Sequence, residues 1–213
     1  MDSVSGVGVL DKAMAVLAAI EAEPRSLAAL VDVTGLSRAT AHRLAVALES
    51  HGLARRDDDG RFALGLRLIG LGHQAAEAVP SWVAARPALA WLQQQTGESV
   101  QLYVRDGDAR VCVESLESPH ELRTIVPVGA RLPLEAGSAG RILRGAAANR
   151  PWVESVAERE AGVASVSAPV HANDAVVAAV SVSGPIERTT RRPGARYANA
   201  VVAAAHQIEQ ALR

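Results

Sequence analysis

The spacing of the apolar residues changes near residue 98, and this change limits the possible folds more than any other feature of the chain. Before that point, apolar side chains recur every three or four residues, which is the period of amphipathic helices. After Glu98 they alternate with polar side chains over short runs, which is the period of β-strands. A single core commonly serves roughly 100 to 200 residues. The 213 residues are therefore predicted to form two units of an α+β protein, with a mostly antiparallel sheet in the second.

A helix, a tight turn and another helix are predicted between residues 26 and 50. An earlier helix is expected over 10–23, where apolar residues share one face. A short helix follows over 26–32, and Gly35 then permits the positive φ of a tight turn. The third helix is predicted over 37–50, with Ser37 as its N-cap. This is the order of a helix-turn-helix motif.

The third helix and the segment after it present side chains of the types that contact DNA. Leu53–Arg56 and Arg61–Leu64 are predicted as two strands around an Asp-Gly turn, which would form the wing of a winged helix. Arginine, histidine and hydroxyl donors suit phosphate oxygens and base edges in a major groove. The predicted DNA-contacting residues are Ser37, Arg38, Thr40, His42, Arg43, Arg55 and Arg56.

The same pattern also has an explanation without DNA. A helix-turn-helix shape occurs in ordinary helical bundles, and the carboxylates of Asp57–Asp59 would repel phosphate if they pointed toward it. The net charge of −1 gives no overall signature of nucleic-acid binding. Residues 37–56, however, contain four arginines against Glu49 as the one acidic residue. The local charge and the wing therefore favour DNA binding.

The second half of the chain is predicted to mix strands and helices. The predicted domains are a winged helix-turn-helix at 1–68, a linker helix at 69–82 and a ligand-binding domain at 83–213. Strands are expected at 100–104, 110–114, 122–126, 163–170 and 176–182. Helices are expected at 64–78, 138–148 and 195–212.

No recognisable catalytic or metal-binding pattern occurs, so neither enzyme activity nor a cofactor is expected. Gly137–Gly140 lacks the spacing of a nucleophile elbow, and the histidines are scattered without metal-ligand spacing. Cys112 is the one cysteine, which excludes an intrachain disulfide and favours a small core residue over a nucleophile. Met1–Gly8 lacks the features of a secretory signal, and no apolar run is long enough to span a membrane. A cytoplasmic location is expected.

Small polar residues recur at alternate positions of the last two predicted strands. They stand beside the glycine-rich Gly137–Gly140, whose backbone donors suit a carboxylate. This composition suits a small polar ligand, but the same alternation is typical of the solvent-facing side of a sheet. The residues alone leave both interpretations open. The alternating residues are Ser165, Ser167, Ser181 and Ser183.

Two separate parts of the sequence resemble one protein family. Gly8–Ala13, Thr34–Leu44 (TGLSRATAHRL) and Gly60–Gly65 resemble the winged helix of the IclR-type transcription factors. Glu158–Val170 and Ala178–Pro185 resemble the effector-domain signature of that family. The resemblance covers nearly the whole chain.

The resemblance implies a winged helix for DNA, a helical linker and a GAF-like effector domain. It also implies a homodimer or homotetramer on palindromic operator DNA, with the nucleoid as its location when bound. In this family a small-molecule effector shifts the DNA-binding equilibrium. Carried over by position, the effector pocket would consist of the side chains of Ser155, Ser165, Ser181 and Ser183 and of backbone donors near Ser138 and Ala139.

The resemblance is strongest to the actinobacterial branch that controls leucine and other amino-acid biosynthesis, which implies an amino acid or its keto-acid precursor as effector. Between Arg141 and Trp152, relatives have a longer helical segment over the pocket, whereas Ala146–Pro151 connects almost directly here. Either the pocket is open or a segment is missing. A constitutive DNA-binding protein whose second domain only oligomerises is the alternative function, and a repressor and an activator share these motifs.

Overall fold

Two compact units, one up to Ala78 and one from Val79 onward, make up the chain. The computed structural model describes residues 7–78, 82–146 and 150–213. Each unit has its own hydrophobic core. Helices and an antiparallel sheet are combined, as the α+β prediction requires. Within the described ranges, no helix is both long enough and apolar enough to cross a membrane.

The first unit packs three helices and a short hairpin around Phe62, whose side chain is fully buried with Val16 and Leu30. The backbones of Arg25 and Phe62 exchange two hydrogen bonds of 2.8 Å, which attach the hairpin to the helices. Its elements are α1 (Gly8–Glu21), α2 (Leu27–Thr34), α3 (Arg38–Ser50), β1 (Ala54–Arg56), β2 (Phe62–Leu64) and α4 (Arg67–Ala78).

Local signals explain the boundaries of α2 and α3. Ser26 is the N-cap of α2, and its Oγ accepts a hydrogen bond from the backbone of Ala29. Gly35 ends α2 with φ of +66°, a backbone conformation that glycine adopts without a steric cost. Ser37 then caps α3 in the same way as Ser26 caps α2.

The second unit is built on an antiparallel sheet with strand order β5-β4-β3-β8-β7-β6 among the described residues. Its strands are β3 (Ser99–Asp106), β4 (Ala109–Leu116), β5 (Arg131–Pro133), β6 (Val153–Val156), β7 (Val163–Ala172) and β8 (Ala175–Pro185). Its helices are a 3₁₀ turn (Trp82–Ala85), α5 (Arg86–Thr96), α6 (Ser138–Arg141) with a π turn (Ile142–Ala146), α7 (Ile186–Thr189) and α8 (Pro193–Ala211).

The two faces of this sheet have different chemistry because side chains alternate along each strand. One face, with Leu102 and Val180, packs on α5 and α8 in the main core. The other face, with Tyr103 and Cys112, belongs to a smaller cluster with Ile142. The alternating serines share this second face, which positions them under α6.

The structure corrects two predictions of secondary structure. Leu122–Val126 is not a strand but a loop, and β5 instead pairs with β4. Residues 138–148 are not one continuous helix, because α6 passes into the π turn and Gly145 leaves the helical conformation with φ of +95°. Residues 147–149 lie outside the described part of the chain. In addition, α5, β5, β6 and α7 were not predicted at all.

Candidate DNA interface and candidate ligand cleft

The N-terminal half of α3 exposes the residues that were predicted to contact DNA. Ala41, Leu44, Ala45 and Leu48 are buried against the first unit's core, so the opposite side of the helix faces outward. The side chains of Arg38, His42 and Arg43 are exposed and make no hydrogen bond or ion pair with other residues that the structure describes. These three donors are therefore free for a partner.

Ser37 and Thr40 differ from those three residues because they already bond to each other. The Oγ of Ser37 donates to the Oγ1 of Thr40 over 2.9 Å and accepts from its backbone N–H over 3.3 Å. This pair closes the first turn of α3, and Thr40 is half-buried. The hydrogen bonds between Ser37 and Thr40 therefore cap the N-terminus of α3.

Arg55 and Arg56 are both exposed on β1, but their surroundings differ. The guanidinium of Arg56 lies 3.7 Å from the ring centroid of Phe62, is 3.6 Å from the carboxylate of Glu49 and donates to the carbonyl of Gly60. Among the residues that the structure describes, the one hydrogen bond of the Arg55 side chain is to the neighbouring carbonyl of Arg56, at 3.4 Å. Arg56 therefore holds the wing together, while Arg55 is free for a partner.

Two of the three carboxylates at the wing tip are occupied by Arg61. The carboxylate of Asp57 accepts hydrogen bonds from the backbone and Nε of Arg61, and Asp59 forms an ion pair with the same guanidinium at 3.0 Å. Desolvation raises the pKa of Asp57, but these hydrogen bonds outweigh it and hold the pKa below its ordinary value. The repulsion of phosphate expected from this turn is therefore reduced.

A narrow cleft on the second face of the sheet brings together all six residues of the predicted effector pocket. We call it the serine cleft, and its cavity volume is about 30 Å³. The first N–H groups of α6 have no partner within the helix, and two of them belong to Ser138 and Ala139, which line the cleft. Its lining residues are Tyr103, Arg110, Gly137, Ser138, Ala139, Ser155, Arg159, Glu160, Val163, Ser165, Ser181 and Ser183.

The serine hydroxyls form a hydrogen-bonded chain rather than a solvated surface. The Oγ of Ser138 lies 2.7 Å from the Oγ atoms of both Ser165 and Ser167, and Ser167 donates to Ser181 over 2.9 Å. Ser183 donates to the Oε1 of Gln101. Of these residues only Ser165 is half-buried and the others are buried. Their burial rules out the interpretation of the alternation as a solvent-facing side.

Residues in and beside the cleft were also missed by the sequence prediction: Tyr103 lines the cleft, whereas Gln101 lies beside it and accepts a hydrogen bond from Ser183. Gln101 is fully buried, and its Nε2 has no hydrogen-bond partner within the described residues. Tyr103 lies next to Arg110, and burial raises its pKa well above the ordinary value. Tyr103 and Gln101 stand at alternate positions of β3, so the period of that strand was the available signal. No group of three potential metal ligands occurs in the described ranges.

Two protein-family models match the chain. The IclR helix-turn-helix domain matches residues 9–58. The C-terminal region of the bacterial transcriptional regulator IclR matches residues 73–151 and 145–210, which together exceed half of the chain. The chain belongs to the IclR family of transcriptional regulators. Members of this family are DNA-binding regulators and not enzymes.

Several curated IclR-family regulators are similar to the chain. The HTH-type transcriptional regulator KipR of Bacillus subtilis is 34% identical over 131 residues, which cover 61% of this chain and 52% of KipR. TtgV of Pseudomonas putida is 34% identical over segments covering 65% of this chain and 54% of TtgV. These matches span about half the length of each relative. The glycerol operon regulatory protein of Streptomyces coelicolor is 29% identical, and the match covers 85% of this chain and 86% of that protein.

Solved structures of IclR-family proteins share the fold over nearly the whole chain. An IclR homolog from Microbacterium hydrocarbonoxydans, complexed with 4-hydroxybenzoate, has a TM-score of 0.82 at 23% identity. The superposition covers 96% of this chain and 99% of the homolog's chain. The Thermotoga maritima IclR has a TM-score of 0.77 at 22% identity, with 96% and 98% covered. At these identities the likeness shows the fold alone.

The connection after α6 is also where the C-terminal family match divides. Its two parts overlap at residues 145–151. This overlap lies in the stretch between Arg141 and Trp152, where a short connection was predicted. The leucine and amino-acid branch remains a prediction, because none of these matches tests it.

Proposed function

We propose that this IclR-family protein binds operator DNA through α3 and the wing, and that a small molecule in the serine cleft changes its affinity for that DNA. The observation that supports the ligand site is the convergence of all six predicted pocket residues on one cleft. Buried polar groups at a concave site are typical of ligand pockets. The proposed effector is an amino acid or its keto-acid precursor, and the proposed assembly is a homodimer or homotetramer on a palindromic operator in the cytoplasm.

The direct test is to titrate the purified protein with its own upstream DNA at fixed salt, with and without leucine, methionine and their keto-acid precursors. An effector that couples to DNA binding is expected to change the operator affinity by about 5- to 150-fold. A scrambled operator at the same salt is the control for nonspecific binding. A compound that binds the protein without changing operator affinity would contradict the proposal of ligand gating.

Arg43 is the residue we expect to contribute most clearly to operator binding, because it is exposed on the outer side of α3 and has no partner within the described residues. Replacing Arg43 with Ala is expected to weaken operator binding by roughly 1 to 3 kcal/mol if it contacts a base. Arg56→Ala is the comparison, since that guanidinium is held by Phe62 and Glu49. Unchanged operator affinity in the Arg43 variant would remove Arg43 from the interface.

A second candidate function is constitutive DNA binding, with the sheet unit serving only oligomerisation. The small cavity of the cleft favours it, because about 30 Å³ holds only about two water molecules. The hydroxyls of Ser138, Ser167 and Ser181 also satisfy one another without a ligand. Under this alternative, no compound in the titration changes operator affinity.

A further inference from the structure

Arg110 places a buried positive charge at the serine cleft without a negative partner. The residue is 3% exposed, and no carboxylate of the described residues lies within ion-pair distance of its guanidinium. A buried charge is costly unless it is paired. Such a group in a native protein calls for an explanation, and a role in binding is one of them.

Toward the residues that the structure describes, the guanidinium donates hydrogen bonds from only one of its nitrogens. Nη1 donates to the backbone carbonyls of Pro133 and Ala136. Nε is buried, and neither Nε nor Nη2 donates to any atom of the residues that the structure describes. The free nitrogens are therefore the two that form one edge of the planar group.

The same edge binds a carboxylate elsewhere in this chain. The Nε and Nη2 atoms of Arg188 donate to the two carboxylate oxygens of Glu98 at 2.8 and 2.9 Å. Glu98 is 2% exposed, so this pair shows how the chain satisfies a buried carboxylate. Two parallel hydrogen bonds of this kind are specific for a planar group with two oxygens. Arg110 offers the same pair of donors, with no acceptor among the described residues.

Two glycines, Gly137 and Gly140, lie against the guanidinium of Arg110, where a side chain would crowd it. A Cβ at Gly140 would lie 2.3 Å from Nη1 and 2.6 Å from the carbonyl of Leu134. A Cβ at Gly137 would lie 3.2 Å from Nη2, and Gly137 also lines the cleft. The glycines of this segment thus allow the guanidinium to approach the wall of the cleft that contains Ser138.

We propose that Arg110 binds the carboxylate of the effector through its Nε and Nη2 atoms, so that the serine cleft selects anionic ligands over their neutral analogues. This inference rests on the proposed function, because it assigns the ligand class of the same cleft. The serine hydroxyls then contact the rest of the ligand. Burial also lowers the pKa of Arg110, and this effect outweighs the opposing influence of Glu135.

Acetate is a suitable probe, because it has a carboxylate and little else to fit into a small cavity. We expect the melting temperature of the wild-type protein to rise with acetate, relative to chloride at equal ionic strength, and to reach saturation. In Arg110→Met the apparent affinity is expected to fall by at least about tenfold, as for loss of a charged hydrogen-bonded pair. Acetamide replaces acetate as the neutral probe and is expected to have no effect on either protein.

Arg105→Met is the matched control. Arg105 stands opposite Arg110 in the register of β3 and β4, but it is exposed and outside the cleft. We expect this variant to keep the wild-type response to acetate. An equal acetate response in wild type and Arg110→Met, or no acetate-specific response in wild type, would overturn the proposal.

A measurement on the wild-type protein covers the case in which Arg110→Met does not fold. In protein labelled with ¹⁵N-arginine, the Nε–H resonance of Arg110, assigned by its loss in Arg110→Lys, is expected to shift with acetate and to saturate at the same concentration as the thermal response. An unmoved resonance overturns the proposal.

The operator titration separates this inference from the proposed function. If acetate binds at Arg110 but no compound changes operator affinity, the carboxylate site stands and ligand gating fails. If a neutral compound changes the operator affinity of wild type and Arg110→Met equally, ligand gating stands and the role of Arg110 fails.

Discussion

Cys112 shows how burial controls the chemistry of one residue. Its side chain is fully buried on β4, and its Sγ contacts the carbonyl oxygens of Glu114 and Val126. Burial raises the pKa of its thiol to about 12, and the thiolate is the reactive form. At pH 8, roughly one thiol in ten thousand is then ionised. The expectation from the sequence that Cys112 is a small core residue agrees with this burial.

We predict that iodoacetamide does not modify Cys112 in the native protein at pH 8. The same protein in guanidinium chloride is the control, since unfolding exposes the thiol and returns its pKa to the ordinary range. Mass spectrometry at matched times measures the modified fraction. Modification of the native protein at the rate of the unfolded one would contradict the burial of this thiol.

Arg110 and Ser155 show which site residues the sequence could and could not predict. Ser155 was assigned only through the family resemblance, because its strand β6 is short and no local signal marked it. Arg110 was predicted to lie in a strand, but an arginine in a strand gives no sign of its ion-pair partners. Only the packing of β5 and α6 around it shows that no carboxylate of the described residues pairs with it. Pairing between distant residues is a tertiary property.

At the scale of elements, helices with local caps were predictable and elements defined by pairing were not. Pro87 stands in the first turn of α5, where proline is well tolerated, yet no capping side chain marks this helix, and α5 was not predicted. The alternation over Leu122–Val126 predicted a strand, but the backbone of β4 instead pairs with residues 129–133. Propensity does not decide between two neighbouring segments that compete for one strand edge.

The hairpin between β7 and β8 offers a test of turn chemistry. Its two-residue loop places Asn173 and Asp174 at φ of +49° and +63°, which is the arrangement of a type I′ turn. Replacing Asp174 with Gly is expected to stabilise the protein by about 0.5 to 1 kcal/mol, because glycine adopts positive φ without a steric cost. Denaturant unfolding measures the change.

The neighbouring hairpin supplies a control of opposite sign. Gly107 stands at φ of +62° between β3 and β4, and a Cβ there would meet no atom within 4 Å. Gly107→Ala therefore tests the backbone cost alone and is expected to destabilise by a similar amount. If both variants changed stability in the same direction, positive φ would not be the cause.

At the scale of the whole molecule, the two units have separate cores and separate candidate sites. The core of the first unit, around Leu30 and Phe62, contains no residue of the sheet unit. The exposed arginines of α3 belong to the first unit and the serine cleft belongs to the second. A net charge of −1 therefore conceals a local positive surface on one unit. Ligand gating requires a coupling free energy between these units.

We predict that the two units unfold in separable thermal transitions, because each has its own core. The chain has three tryptophans, Trp82, Trp91 and Trp152, all in the second unit, so their fluorescence follows that unit alone while circular dichroism follows both. Leu30 is fully buried in the first unit, and Leu30→Ala is expected to destabilise that unit by about 2 to 5 kcal/mol. The circular dichroism transition should then begin at a lower temperature while the fluorescence midpoint stays unchanged.

Leu102→Ala is the matched variant in the second unit, where Leu102 is equally buried. It is expected to lower the fluorescence midpoint and to leave the first transition in place. A ligand of the serine cleft raises only the midpoint of the unit that binds it, unless the units are coupled. If Leu30→Ala lowers the fluorescence midpoint as much as the circular dichroism midpoint, the units unfold as one cooperative body. Coupling between the DNA-binding and ligand-binding sites would then be built into the stability of the whole chain.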